Sequence, residues 1–371
     1  MVAMIEVQDL AAQASTRSEA LADRVFQATL ATMDTALIHL GNRLGLYQAL
    51  ADIEPATSDE VAQAAGLHER YVREWLEQQT VSGFLDCENP QASAAERRFA
   101  LPLGHAAVLL DIDHPLYLLP LSQLTMGVAA HLPEVEQAFR TGAGVPYASY
   151  GHDMCVGQAG MNRNLFLQDL GTEYLPQIPE LHARLSSSEP ARIADIGCGV
   201  GWSAIGMARA YPNARVDGYD LDEESVREAR RLIQNSGVAD RVQVHLRDAA
   251  DMHLNGQYDL VTAFECVHDM SNPVGALGAM RDLAGETGTV LIMDERVADA
   301  FDPGAGDVER LMYGFSVLHC LPVGLAETPS VGTGTVMRPS ILRGYAQQAG
   351  FSDIDILPLA HPFFHFYRLV R

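Results

Sequence analysis

The segment Asp195-Ile196-Gly197-Cys198-Gly199-Val200-Gly201 constrains the fold of this chain more than any other. Ile193 to Ile196 reads as a short apolar strand, Gly197 to Gly201 as a tight turn, and Trp202 to Tyr211 as a helix that packs through Ile205 and Met207. Strand, glycine turn and helix in that order open a layered α/β unit. The glycines tolerate positive φ and let backbone amides approach a ligand, while the helix amino terminus favours a negative group such as a carboxylate. Dinucleotide-binding folds use a similar turn, but their fingerprint requires a third glycine where Trp202 stands.

The alternation continues beyond the turn. Arg215 to Tyr219 is a second strand ending at Asp220, where an acidic side chain can accept both hydroxyls of a ribose. Val242 to Leu246 is a third; after it Asp248 can accept from an adenine amino group and Ala249 can offer a backbone amide. Asp259 to Phe264 is a fourth, leading into Glu265-Cys266-Val267-His268-Asp269-Met270 at the carboxyl edge, where such sheets bind ligands. Thr289 to Asp294 is a fifth, followed directly by Glu295. Ile354 to Leu357 and Phe363 to Val370 read as a closing hairpin.

The motifs DIGCGVGW, GYDLDEESV, LRDAADM and YDLVTAFECVHDM resemble the successive motifs of class I S-adenosylmethionine-dependent methyltransferases. The resemblance implies a Rossmann-like α/β domain with a mostly parallel seven-stranded sheet, preceded by a mainly α winged-helix domain. It also implies S-adenosyl-L-methionine as cofactor, with contacts at Asp195, Gly197, Gly199, Gly201, Asp220, Leu221, Asp248, Ala249, Phe264 and Glu265. The stretch YGFSVLHCLPVGL, the GTGT turn and the final AGF resemble a bacterial two-domain subgroup without a uniform substrate. In the small-molecule O-methyltransferases of this family a catalytic histidine stands in an HDW triplet. His268-Asp269 matches two of its positions, and Met270 replaces the tryptophan. The resemblance therefore implies His268 as general base for a hydroxyl acceptor and Glu295 as the carboxylate that orients it, a pairing that fixes the tautomer and stabilises the imidazolium.

Upstream, residues 1–20 carry no firm periodicity and read as a loose start. Residues 21–110 read as a winged-helix and dimerisation domain. Apolar residues recur at helical spacing from Leu21 to Leu50, Thr57 or Ser58 caps a helix from Asp59 to Ala65, and Glu69 to Ser82 forms the second helix of a helix-turn-helix. Phe84 to Asp86 and Arg98 to Leu101 supply the wing. Residues 111–189 read as a helical connector and substrate-pocket region, with the Gly/Pro/Tyr-rich stretch from Gly142 to Gly157 bordering a substrate. The linker Ser186 to Pro190 opens a catalytic domain of residues 190–371.

Composition narrows the alternatives. All 25 basic residues are arginine, which removes the lysine of a pyridoxal Schiff base or a P-loop. A net charge of −23 opposes phosphate backbones, and the second helix sets Arg70 and Arg73 among Glu69, Glu74 and Glu77, so no nucleic-acid partner is expected. Five scattered cysteines without CxxC spacing point to free thiols, and His319-Cys320, His361 and His365 do not complete a ligand set, so no metal is expected. Leu101 to Leu132 is interrupted by charges and prolines, and the amino terminus lacks a signal-peptide pattern, so a cytoplasmic protein without a membrane partner is expected. The apolar helices of residues 21–50 lead to an expected homodimer through the amino-terminal domain. Two readings compete with methyl transfer to a small-molecule acceptor: a winged-helix regulator that senses the cofactor, and a methyltransferase fold put to different chemistry.

Overall fold

The computed structural model describes residues 2–251 and 258–371; Met252, the last residue of the LRDAADM motif, lies outside them. The chain divides into two compact units, Met1–Met126 and Gly127–Arg371.

In the first unit, α1 (Val2–Arg43) runs as one helix through the segment expected to be loose, followed by α2 (Leu46–Ala51). Thr57 caps α3 (Ser58–Ala65) through a reciprocal capping box with Glu60, and Gly66 ends the helix at φ 68°. α4 (Glu69–Val81) follows, and the wing is the antiparallel pair β1 (Asp86–Cys87) and β2 (Phe99–Ala100). Val61, Val72, Trp75, Leu76, Phe99 and Leu101 form the core of this unit. Trp75 donates its indole N–H to the Leu37 carbonyl (2.9 Å), which ties α4 to α1. α5 (His105–Leu109) and α6 (Leu119–Ala129) complete the amino-terminal helices.

In the second unit, α7 (Leu132–Thr141), α8 (Gly151–Asn164), a π-helical segment (Leu165–Tyr174) and α9 (Pro179–Leu185) precede the sheet. The sheet contains β3 (Arg192–Ile196), β4 (Arg215–Asp220), β5 (Val242–Leu246), β6 (Leu260–Phe264), β7 (Thr289–Glu295), β8 (Asp353–Ile356) and β9 (Phe364–Val370). Their order is β5-β4-β3-β6-β7-β9-β8, parallel except for β9, which runs antiparallel to both neighbours. The direction of winding reverses between β3 and β6, and the crevice outside their carboxyl ends is where such sheets take ligands. α10 (Trp202–Ala210) and α11 (Glu223–Gln234) pack in one apolar layer with β3 and β4. α12 (Pro273–Ala284) packs in another with β6 and β7, joined there by the helix Pro339–Gln348.

The contacts group residues 127–371 in one unit. Leu165, Phe166, Leu170, Leu181 and Leu185 share the buried cluster of β3 and α10. The crossing of α10 with the π-helical segment needs small residues. A Cβ on Gly206 would lie 1.9 Å from the Phe166 carbonyl oxygen, and one on Gly171 would lie 2.2 Å from the Ala210 Cβ. Gly206→Val is therefore expected to destabilise by at least ~1–3 kcal/mol through forced backbone displacement, seen as a lowered midpoint in thermal denaturation. Among the described residues no helix is long and apolar enough to cross a membrane.

Candidate active site

Four strand ends, those of β3, β4, β5 and β6, contribute to one cavity of about 1000 Å³ in the second unit. The β3 turn contributes Gly197 (φ 64°) and Gly199 (φ 51°), which line the wall. Gly201 (φ 84°) does not line it. That glycine is the N-cap of α10, and its absent side chain leaves room for Ala229, 3.4 Å from where a Cβ would lie. Asp195, expected at the cofactor, also stands off the wall. Its buried carboxylate accepts from Ser203 Oγ (2.5 Å) and Thr262 Oγ1 (2.7 Å), binding α10 and β6 to β3. Burial pushes its pKa up to about 6 against those two hydrogen bonds. An inward position in the middle of the sheet accounts for the difference, because strand residues alternate between faces.

Asp220 is on the wall and is held from two sides. Its Oδ2 accepts from the Gly199 amide (2.8 Å) and its Oδ1 from the Asp222 amide (2.9 Å). The glycine turn and the acidic strand end thus position each other. Burial raises the Asp220 pKa, opposed by the Asp222 and Gly199 amides. Leu221, Asp248, Ala249, Phe264 and Glu265 line the same cavity, so eight of the ten expected cofactor contacts converge there.

His268 is seated differently from the expectation of a base facing substrate. It is 2% exposed and is not among the residues lining the cavity. Its Nδ1 lies 2.8 Å from Asp294 Oδ1 and 3.0 Å from Glu295 Oε2, and its Nε2 lies 3.3 Å from Asp269 Oδ1. Both ring nitrogens therefore lie beside carboxylates, and the hydrogen bond at Nδ1 is to Asp294. Burial alone would lower the pKa of His268, but Asp294, Glu295 and Asp269 outweigh it and hold the ring well above 6.5. Burial raises Glu295 well above 4.5, with His268 opposing. Asp269, whose pKa is lowered because His268 outweighs burial, does line the cavity.

Among the described residues, the atoms of His268, Asp294 and Glu295, and of His268, Asp269 and Cys320, lie close enough together to hold an ion. In the first group His268 Nδ1 is already hydrogen-bonded to Asp294 Oδ1 (2.8 Å), and in the second its Nε2 lies in an ion-pair contact with Asp269 Oδ1 (3.3 Å). His319 is a core histidine, edge-on to Tyr150 at 4.5 Å, with burial lowering its pKa to about 4.

Further wall residues come from outside the strand ends, some of them from the stretch 111–189 read as a substrate-pocket region. Asn162 and Phe166 arrive from α8 and the π-helical segment, and Val323 and the residues from Ala326 to Val331 from the stretch after Cys320. Pro146, Tyr147 and Ala148 also line it, from the Gly/Pro/Tyr-rich segment expected to border a substrate. Glu327 accepts from Ser271 Oγ (3.0 Å) at the same wall.

Residues 187–322 match a family described as a methyltransferase domain, and residues 31–110 match the Rv2258c-like winged HTH domain. Among curated proteins, a 104-residue stretch is 29% identical to the polyketide synthase ThaQ of Burkholderia thailandensis, covering 28% of this chain and 5% of that protein. A 167-residue stretch is 29% identical to the tRNA1(Val) (adenine(37)-N6)-methyltransferase of Yersinia pestis, covering 42% of this chain and 58% of that one. The chain thus spans less than two thirds of either relative. Solved structures match over nearly the whole length. The mitomycin 7-O-methyltransferase MmcR superposes with a TM-score of 0.68 at 18% identity, covering 96% of this chain and 99% of that chain. Human N-acetylserotonin methyltransferase in complex with SAM gives 0.70 at 15% identity, covering 94% and 97%. A putative O-methyltransferase of Nostoc punctiforme gives 0.68 at 19% identity, covering 94% and 98%. At these identities the likeness is one of fold.

Proposed function

We propose that this protein, a winged-helix domain joined to a class I methyltransferase fold, binds S-adenosylmethionine and transfers its methyl group to a small-molecule acceptor. The observation that carries this reading is the convergence of the glycine turn, the doubly anchored Asp220 and the Asp248-Ala249 pair on one cavity at three successive parallel strand ends. Such a wall suits a ribose and an adenine, with a methionyl end at the glycine turn. Several of the matching structures are named as O-methyltransferases, which supports oxygen as the acceptor atom.

Methyl transfer from a sulfonium is an in-line displacement, so the chain's work is to hold acceptor and methyl in near-attack geometry and to exclude water. Asp269 is the group we assign to the acceptor hydroxyl, taking its proton as the sulfur–methyl bond breaks, the oxygen–methyl bond forms and the neutral thioether leaves. Asp269 lines the cavity, and His268 behind it, clasped by Asp294 and Glu295, keeps it ionised and in place. Buried and off the cavity wall, His268 is on this reading a positioning residue.

Saturating S-adenosylmethionine is expected to raise the melting midpoint by mass action, about 2.7 kcal/mol at one hundred times Kd. Asp220→Asn should weaken binding about 10- to 100-fold, because charge-assisted hydrogen bonds to the ribose become neutral ones. No shift with S-adenosylmethionine alongside a clear shift with NAD would refute the cofactor assignment. Product analysis with methyl-labelled cofactor then separates transfer from other sulfonium chemistry or from a sensing role.

The acceptor is read as a small molecule and not a nucleic acid. The net charge of −23 opposes a phosphate backbone, and Arg70 and Arg73 on α4 are paired with Glu74 and Glu69. A homodimer through the first unit accounts for α1, which leaves Leu21, Val25, Phe26, Leu30 and Met33 43–61% exposed on a single chain. Light scattering should report a dimer for the wild type. Phe26→Asp should shift it toward monomer, and a wild type that remains monomeric at tens of micromolar removes this assignment.

A further inference from the structure

Glu265 is the one non-glycine residue with positive φ (54°) among the described residues, a conformation that costs an ordinary side chain ~1–2 kcal/mol. It follows β6 directly, and its amide donates to the Met293 carbonyl (2.8 Å), so the neighbouring strand holds the strained turn. The turn abuts the glycine turn of β3: a Cβ on Gly197 would lie 2.6 Å from Cys266 Sγ. Glu265, Asn162, Gly197 and Gly199 therefore share one stretch of cavity wall. Glu265 Oε2 accepts from Asn162 Nδ2 (3.1 Å), while Oε1 is buried without a hydrogen-bond partner. A carboxylate so placed is under-supplied with donors. Burial pushes its pKa up to about 7, the direction expected of an acid awaiting a cation.

We propose that Glu265, braced by Asn162, accepts the protonated α-amino group of the cofactor's methionyl end. The inference rests on the reading that S-adenosylmethionine is the cofactor. In an α-amino acid the ammonium sits one carbon from the carboxylate. With the carboxylate at the amino terminus of α10, the ammonium reaches the adjacent turn, where Glu265 stands. The cavity thereby reads the zwitterion at both ends, and an adenosine thioether lacking the amino group binds weakly.

The test is a binding cycle by titration calorimetry, using S-adenosylhomocysteine and its analogue with the α-amino group replaced by hydrogen, on wild type and Glu265→Gln. Wild type should lose about 10- to 100-fold in affinity when the amino group is removed. Glu265→Gln should bind S-adenosylhomocysteine correspondingly more weakly and discriminate between the two ligands by less than about 3-fold. Equal affinities of wild type for both ligands overturn the proposal without recourse to a variant, as does undiminished discrimination in Glu265→Gln. Wild type that binds neither ligand overturns the cofactor reading itself, a result distinct from binding both alike.

Discussion

Gly199→Val is expected to abolish binding of S-adenosylmethionine and S-adenosylhomocysteine while leaving the protein folded. Gly199 sits at φ 51°, and a Cβ there meets no atom within 4 Å, so a new side chain projects into open space at the cavity wall. The amide of the same residue holds Asp220 Oδ2 at 2.8 Å, so a shift of the backbone also releases the ribose carboxylate. A β-branched residue at positive φ costs ~1–3 kcal/mol in strain. That cost lowers the midpoint without unfolding the domain, whereas the methyl groups occupy space the methionyl end requires. Gly237 is the control. It has φ 80° with nothing within 4 Å and does not line the cavity, so Gly237→Val carries similar strain without touching the ligand. The measurement is the ligand-induced melting shift of each variant. A full shift in Gly199→Val would mean that the cofactor does not rest on this turn.

His268→Gln is expected to fail first in stability. Removing one member of a buried charge cluster typically costs ~3–5 kcal/mol, since the remaining charges keep their desolvation penalty without a counter-charge. For a unit of this size that is a fall of ~6–20 °C in the midpoint. The pH dependence carries the same signature. His268 is held well above 6.5 in the folded chain, so its stabilisation is complete below the unfolded pKa and is lost as pH rises through the folded one. Glu295, held well above 4.5, also binds a proton more tightly when folded, and Glu265 and Asp195, pushed up to about 7 and about 6, act in the same direction. Asp269 is lowered below 3.8 and works the other way, its contribution being lost as pH falls through its folded pKa. Wild-type stability should therefore be greatest in mildly acidic solution and decline as pH rises from 6 to 9. The decline should be shallower in His268→Gln. A variant with unchanged midpoint at neutral pH and a rate loss of ~100-fold or more would instead restore His268 as the general base.

The two variants separate what local pattern could reveal from what it could not. The strands, their order of appearance, the glycine turn, the Asp220 strand end and the Thr57 cap were legible because each follows from local rules: apolar alternation, the tolerance of glycine for positive φ, and side-chain capping of free amides. The convergence of Gly197, Gly199, Asp220, Asp248, Ala249, Phe264 and Glu265 also follows, since consecutive parallel strands end on the same edge of the sheet. What local pattern could not decide is which way a side chain points once the layers close. Asp195 and His268 carry the residue types and spacing of site residues. Packing turned Asp195 toward Ser203 and Thr262, and set His268 among Asp269, Asp294 and Glu295 from two strand ends. The placement of Asn162 beside Glu265 spans 103 positions in the chain, and that of Phe166 beside Gly206 spans 40. Such pairings arise from the burial of helices against a sheet, a free energy summed over the whole domain and not encoded in any one segment.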